Sequence, residues 1–301
     1  MYKITEIVAA ELNYIELESP DGQSKAQICI HQGGRLSDFV FKNIQILADS
    51  NSTSYKDTFA SSILFPFANR IKDGEYTFNN LKYKLQCNEI DKNNALHGFV
   101  YNKPFEVIDS VATQEYASLT LLYKDDGKTE GFPFKFNIEL TYRLDKNGII
   151  LSIKAVNNDK SSFPFNIGWH PYFYSKNFDN SALNFKSDTK YVYDAQQIIS
   201  GTTALDVEMP FQLKDVKLDT GYLLTTNEIK FSTPEYNLNI SSNSKYFFLQ
   251  LYTPDDQNII AIEPMTGAAD NFNNEIGLQT LQPNETYDVK WCVSIETLTL
   301  K

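Results

Sequence analysis

Apolar and polar residues alternate along this chain with a period of two, a pattern that suits half-buried strands. Phe136-Asn137-Ile138-Glu139-Leu140-Thr141-Tyr142-Arg143-Leu144 alternates without a break. Asp145-Lys146-Asn147-Gly148 then turns the chain, and Ile149 to Val156 returns along it. Tyr76 to Leu85 alternates on both sides of Asn79-Asn80, which predicts a hairpin. Further strands are expected at 237–241, 246–252, 259–262 and 288–300. No stretch carries an apolar stripe at helical spacing. The 21 Phe and 18 Tyr add to the strand bias. The expectation is all-β: a large antiparallel β-sandwich or barrel. No fixed-period repeat or low-complexity linker divides residues 1–301, so the chain reads as one domain. Asp49-Ser50-Asn51-Ser52-Thr53-Ser54 reads as a surface loop too short to separate two.

Charge narrows the partners. The formal net charge of −11 repels phosphate backbones and anionic membranes, so neither nucleic acid nor a membrane surface is expected. Arg35, Arg70 and Arg143 are the only arginines, few for a site meant to grip a phosphorylated ligand two oxygens at a time. Cys29, Cys87 and Cys292 fit neither a zinc spacing nor a redox pair and read as buried thiols in strands. Lys3 and Glu6 interrupt the apolar residues of the N-terminus, so no signal peptide is evident. No segment approaches the ~20 apolar residues of a membrane span. A cytoplasmic protein is expected, a monomer or a homodimer.

No glycine-rich phosphate loop, Gly-x-Ser-x-Gly elbow or His-Glu-x-x-His zinc helix is present. No cofactor and no metal are therefore expected. What remains is a small set of polar residues in unusual settings. His170 follows an apolar run and sits among Trp169, Pro171, Tyr172 and Phe173. An imidazole there is either a packed histidine or a partly desolvated proton carrier. His97 lies in Leu96-His97-Gly98-Phe99, where Gly98 permits a close backbone approach or an unusual turn. Glu263 ends the apolar run Ile259-Ile260-Ala261-Ile262 just before Pro264, which places it at a sheet's rim. Asn69 and Arg70 offer fixed donors for sugar hydroxyls, or Arg70 is half of a salt bridge. His31 has no such setting and reads as structural.

Taken in order, Asn69-Arg70, Leu96-His97-Gly98, His170-Pro171-Tyr172-Phe173 and Glu263-Pro264-Met265-Thr266-Gly267 resemble the aldose 1-epimerase (galactose mutarotase) family. The resemblance runs from Gly33-Gly34-Arg35-Leu36 to Leu281-Gln282-Pro283-Asn284-Glu285. It implies a β-supersandwich and an isomerase, independent of cofactors, that interconverts the α and β anomers of free aldoses. By position, it implies His170 as general acid and Glu263 as general base. Arg70 and His97 take the roles of residues holding the sugar hydroxyls and ring oxygen, and Asp219 that of a sugar-binding aspartate. The chain departs from the best-known galactose mutarotases at both histidines. It has Gly98-Phe99 where they carry Gly-Gly, and Trp169-His170-Pro171 where they carry Asn-His-Ser or Asn-His-Thr. That is closer to a divergent bacterial branch.

A hemiacetal opens when its anomeric hydroxyl loses a proton and its ring oxygen gains one. An acid and a base on opposite sides of the sugar suffice, each contributing about 10²–10⁴-fold. The competing expectations are a glycosidase pairing Glu263 with Asp219 or Asp270, a catalytically silent carbohydrate-binding protein, and a hexose-6-phosphate 1-epimerase.

Overall fold

A computed structural model of the chain describes residues 1–9, 12–48, 54–255 and 258–298. Two sheets carry most of them, and every ladder between their strands is antiparallel. The larger sheet has 13 strands, and its central part runs Tyr172–Tyr174, Ile259–Met265, Phe248–Tyr252, Asp219–Leu223, Thr189–Tyr193. Gly168–Trp169 pairs with the end of Ile259–Met265 and with Ile63–Leu64. The other sheet has nine strands and is built around Tyr116–Asp126, Lys135–Asp145, Gly148–Asn157, Thr286–Thr297 and Tyr236–Ser242. Among the described residues the helices are two of four residues each and two short 3₁₀ turns. None is long and apolar enough to cross a membrane.

The period-two pattern explains the layering. In Lys135–Asp145 the residues Phe136, Ile138, Leu140, Tyr142 and Leu144 are all fully buried, and their neighbours are not. Each such burial contributes roughly 1.5–3 kcal/mol. The larger sheet presents Trp169, Phe173, Tyr222, Leu249, Leu251, Ile260 and Ile262 to the same core. Trp169 stacks on Trp291 of the opposite sheet, with ring centroids 6.4 Å apart and planes 17° from parallel. Phe173 meets Phe231 and Tyr222 meets Phe185 across the same gap. Because strand residues alternate faces, the residues between these face the other way. His170, Glu263, Gln250 and Gly221 therefore share the outer face of the larger sheet.

Both predicted hairpins form. Asn79 and Asn80 take positive φ of 49° and 63°, the pair that a two-residue type I′ turn needs. Asp145 pairs with Gly148 around Lys146-Asn147. The strand expected at 246–252 starts later, at Phe248. The C-terminal strand is Thr286–Thr297, and residues 299–300 of the expected 288–300 lie outside the described residues. So do 49–53 of the expected loop. The three cysteines form no disulfide. Cys29 and Cys292 lie in strands; Cys87 does not, and it and Cys292 are only half-buried.

Glu263 is not at a rim. It lies inside Ile259–Met265, a strand with neighbours on both sides, and is 2% exposed. The proline that suggested an edge is accommodated by the ladder. On one side Ile262 N–H donates to Pro171 O and Thr266 N–H to Ile167 O. Position 264 falls between these two bonds, where a residue without an N–H forgoes a single hydrogen bond.

Candidate active site

The sheet's register assembles the floor of the site. Tyr172 pairs with Ala261 and Gly168 with Met265, so the same register carried across the break sets His170 opposite Glu263. Side chains directly opposite one another in an antiparallel ladder project from the same face. His170 Nε2 accordingly lies 3.4 Å from Glu263 Oε1. On the other side Glu263 pairs with Gln250, and Gln250 with Gly221. Two residues along, Tyr172, Ala261, Tyr252 and Asp219 form a second row on the same face.

Gln250 links the rows. Its Nε2 donates to Asp219 Oδ1 at 2.7 Å, and its Oε1 accepts from Tyr193 Oη at 3.1 Å. Both ends of the amide are thus fixed. Gly221 makes room for this: a Cβ there would fall 2.4 Å from Tyr193 Oη and 2.9 Å from Gln250 Oε1. Asp219 opens its strand and is exposed, available to a ligand.

A small ladder forms the wall. Arg70–Ile71 pairs with Ala95–Leu96, and His97 N–H donates to Asn69 O at 2.9 Å. Asn69 N–H returns to His97 Nδ1 at 3.3 Å, which places the neutral ring's proton on Nε2. Asn69 and His97 both hold positive φ, 61° and 63°. Gly98 follows at 67° with its backbone against Phe65, where a Cβ would be 2.0 Å from Phe65 O. The His97 ring stands edge-on to His170, with centroids 5.2 Å apart. Phe59 packs on His97 and Tyr172 on His170.

Arg70 does form a salt bridge. Glu89 takes its Nε at 2.9 Å and its Nη2 at 2.8 Å, while Nη1 reaches Asn69 Oδ1 at 3.5 Å. Asn69 Oδ1 also accepts from Arg70 N–H. Burial opposes the Arg70 charge, but the Glu89 carboxylate outweighs it and holds the guanidinium above its usual pKa. Glu89 is correspondingly held below the usual carboxylate range against its own burial, by Arg70 and Asn94.

The buried pair behaves differently. Burial pushes His170 down to about 4. Burial, then the charge of Asp219, pushes Glu263 well above the carboxylate range, with Arg70 opposing. Burial, then His170 and Arg70, holds His97 well below the usual imidazole value. The 3.4 Å contact could join two opposite charges, yet burial disfavours both. Burial thus favours the uncharged forms, an imidazole beside a carboxyl group with one proton between them. Among the described residues, His170 Nδ1 and Glu263 Oε2 are two of eight buried side-chain polar atoms without a hydrogen-bond partner. Such orphaned atoms cost about 1–3 kcal/mol each, and a catalytic role is one reason a folded chain keeps them.

The structure therefore gathers His170, Glu263, His97, Arg70, Asn69 and Asp219 in one place. It places the imidazole and carboxylate side by side, not on opposite sides of a sugar. Asp270 abuts the wall, its N–H donating to Arg70 O at 2.7 Å, but its Oδ1 is taken up by Lys72 N–H and Asn273 Nδ2. His31 Nδ1 accepts from Asn13 N–H, a structural contact. Among the described residues no three His, Cys, Asp or Glu cluster to hold a metal ion. Sequence reasoning missed Gln250, Tyr193 and Glu89. Gln250 left one signal, a single amide within the apolar run Phe247 to Tyr252. Tyr193 and Glu89 left none.

The match to known proteins spans the same elements. The family model for aldose 1-epimerase matches residues 15–293. The uncharacterized protein YihR of Escherichia coli (strain K12) is 22% identical over 267 residues, covering 85% of each chain. Galactose mutarotase of Homo sapiens is 26% identical over 194 residues, 60% of this chain and 53% of that protein. A crystal structure of a galactose mutarotase-like protein from Clostridium acetobutylicum superposes with a TM-score of 0.89 at 20% identity, covering 99% of each chain. Galactose 1-epimerase from Lactobacillus acidophilus NCFM gives 0.80 at 18%, also over 99% of each. At these identities the solved structures speak for the β-sandwich fold alone. With the family model matching nearly the whole length, the chain belongs to the aldose 1-epimerase family.

Proposed function

We propose that this protein is a mutarotase: it opens and recloses the ring of a free aldose by general acid–base catalysis, exchanging the α and β anomers. The observation that carries the reading is the buried His170–Glu263 pair with its two unpartnered polar atoms. The anomeric hydroxyl and the ring oxygen are bonded to the same carbon. Two proton carriers side by side can therefore serve both oxygens, and a face-to-face arrangement is unnecessary.

Ring opening needs one proton given and one taken, and a pair holding one proton supplies both. Glu263 as base and His170 as acid, the roles implied by the family, correspond to the ion-paired form. Burial favours the other form in the empty site. The two differ by one proton moving across the 3.4 Å contact, so the pair's total charge is unchanged. After opening, rotation about C1–C2 and reclosure on the other face run the same transfers in reverse. His97 Nε2–H, Arg70, Asn69 and Asp219 would hold the hydroxyls. The unlinked cysteines fit a reducing, cytoplasmic setting.

The test is anomer exchange of a panel of free aldoses, followed by polarimetry or exchange NMR on the purified protein. Acceleration over buffer supports the reading. Saturable sugar binding without acceleration would reassign the chain to binding, and free sugar released from an aryl glycoside would reassign it to hydrolysis.

A further inference from the structure

Arg70 is the only one of the chain's three arginines in the site. Arg35 is buried, bonded to Gln32 and Ala60 O with its guanidinium over Tyr55, and Arg143 lies over Tyr116 in the smaller sheet. A guanidinium recognises phosphate or carboxylate through two parallel N–H groups. At Arg70 the Nε and Nη2 edge is already occupied by Glu89, whose side chain is 9% exposed. Asn94 Nδ2 braces the same carboxylate at 2.9 Å. Lys92 lies 3.7 Å from Glu89 and 3.1 Å from Asp91.

The charges at the Arg70 edge of the site then pair off. Arg70 and Lys92 are balanced by Glu89 and Asp91. Burial favours the neutral forms of His170, Glu263 and His97. Asp219 accepts from Gln250 Nε2 and is exposed on the same face. A neutral sugar loses nothing in such a site, because hydroxyls accept from Nη1 and donate to Asp219. An anionic sugar finds the two-point edge of Arg70 already taken and the exposed Asp219 on the same face.

Building on the mutarotase reading, we infer that Glu89 is a specificity-determining residue. By gripping Arg70 at two points it denies the site's one guanidinium to anionic groups, so the site takes uncharged aldoses and rejects sugar phosphates. Arg70 then serves as a polar wall and not as an anion receptor.

The experiment compares D-glucose and D-galactose with their 6-phosphates, by anomer exchange and by NMR titration, on the wild type, Glu89→Gln and Glu89→Asp. The expected result is a wild-type preference for the neutral sugars of about 100-fold, narrowed about tenfold or more in Glu89→Gln and largely retained in Glu89→Asp. A salt bridge with a purely structural role would lower both sugars equally and leave the ratio unchanged. An unchanged ratio in a folded Glu89→Gln protein overturns the inference. So does a wild type that takes the 6-phosphates as readily as the free sugars, a comparison that needs no variant to fold. If no sugar exchanges anomers faster than in buffer, the mutarotase reading fails, and the titrations still decide whether the site discriminates by charge.

Discussion

His170 Nε2 lies 3.4 Å from Glu263 Oε1 because the two residues occupy opposite positions in an antiparallel ladder. The contact is held by the register of a central sheet, so each partner can be removed with little disturbance to the backbone. His170→Ala and Glu263→Gln should each lower kcat by about 10²–10⁴-fold. KM should change little, since neither group would be the main source of uniform binding energy. Polarimetry with thermal unfolding on the same samples checks this. A Glu263→Gln protein with the wild-type rate ends the assignment.

The pH profile follows from the single shared proton. As pH falls through about 4, His170 takes up a second proton and the pair loses its base. As pH rises, the last proton leaves from Glu263, whose pKa is raised well above the carboxylate range. Activity should therefore hold from just above pH 4 into a range where an ordinary carboxyl group is already ionised. Its alkaline fall belongs to Glu263. The kcat profile of the wild type measures both limbs. An acid limb centred near 6.5, the usual imidazole value, would show that His170 is not buried as described.

The fold class and most of the site were readable because they rest on local signals. Alternation in 136–144 and the Asn79-Asn80 turn identify strands and hairpins directly. The histidines and Glu263 stood out by composition and setting. What could not be read was register. Pro264 suggested an edge, and only the ladder shows that its missing N–H falls between two bonds that form. The side-by-side placement of His170 and Glu263 and the role of Gln250 follow from pairing between strands far apart in the chain. Glu89 joins Arg70 from a polar loop whose sequence is ordinary.

Gly98 offers a test of how the wall is held. A Cβ at that position would lie 2.0 Å from Phe65 O, and its φ of 67° disfavours any other residue. Gly98→Ala should destabilise by about 1–3 kcal/mol or more and, by displacing His97, raise KM. A Cβ at Gly201 would meet nothing within 4 Å, so that position serves as the control. Gly201→Ala should be nearly neutral in both measurements. Equal unfolding temperatures for the two variants would mean that the close approach to Phe65 is not needed.

Stability should move with pH in a way that isolates Glu263. Its pKa is higher in the folded chain than in the unfolded one, so the folded state holds the proton more tightly. That contribution is fully present below the ordinary carboxylate pKa of about 4.5 and is lost as pH rises through the folded value, at up to about 1.4 kcal/mol per pH unit. The buried histidines act in the opposite sense: both have lowered values, and their contribution is lost as pH falls below about 6.5. Glu263→Gln leaves the histidines in place and removes the carboxylate. The variant should gain stability over the wild type as pH rises from 5 to 9, even as it loses activity. Thermal unfolding of both proteins across that range measures the difference, and parallel curves would mean that Glu263 is not held in its protonated form by burial.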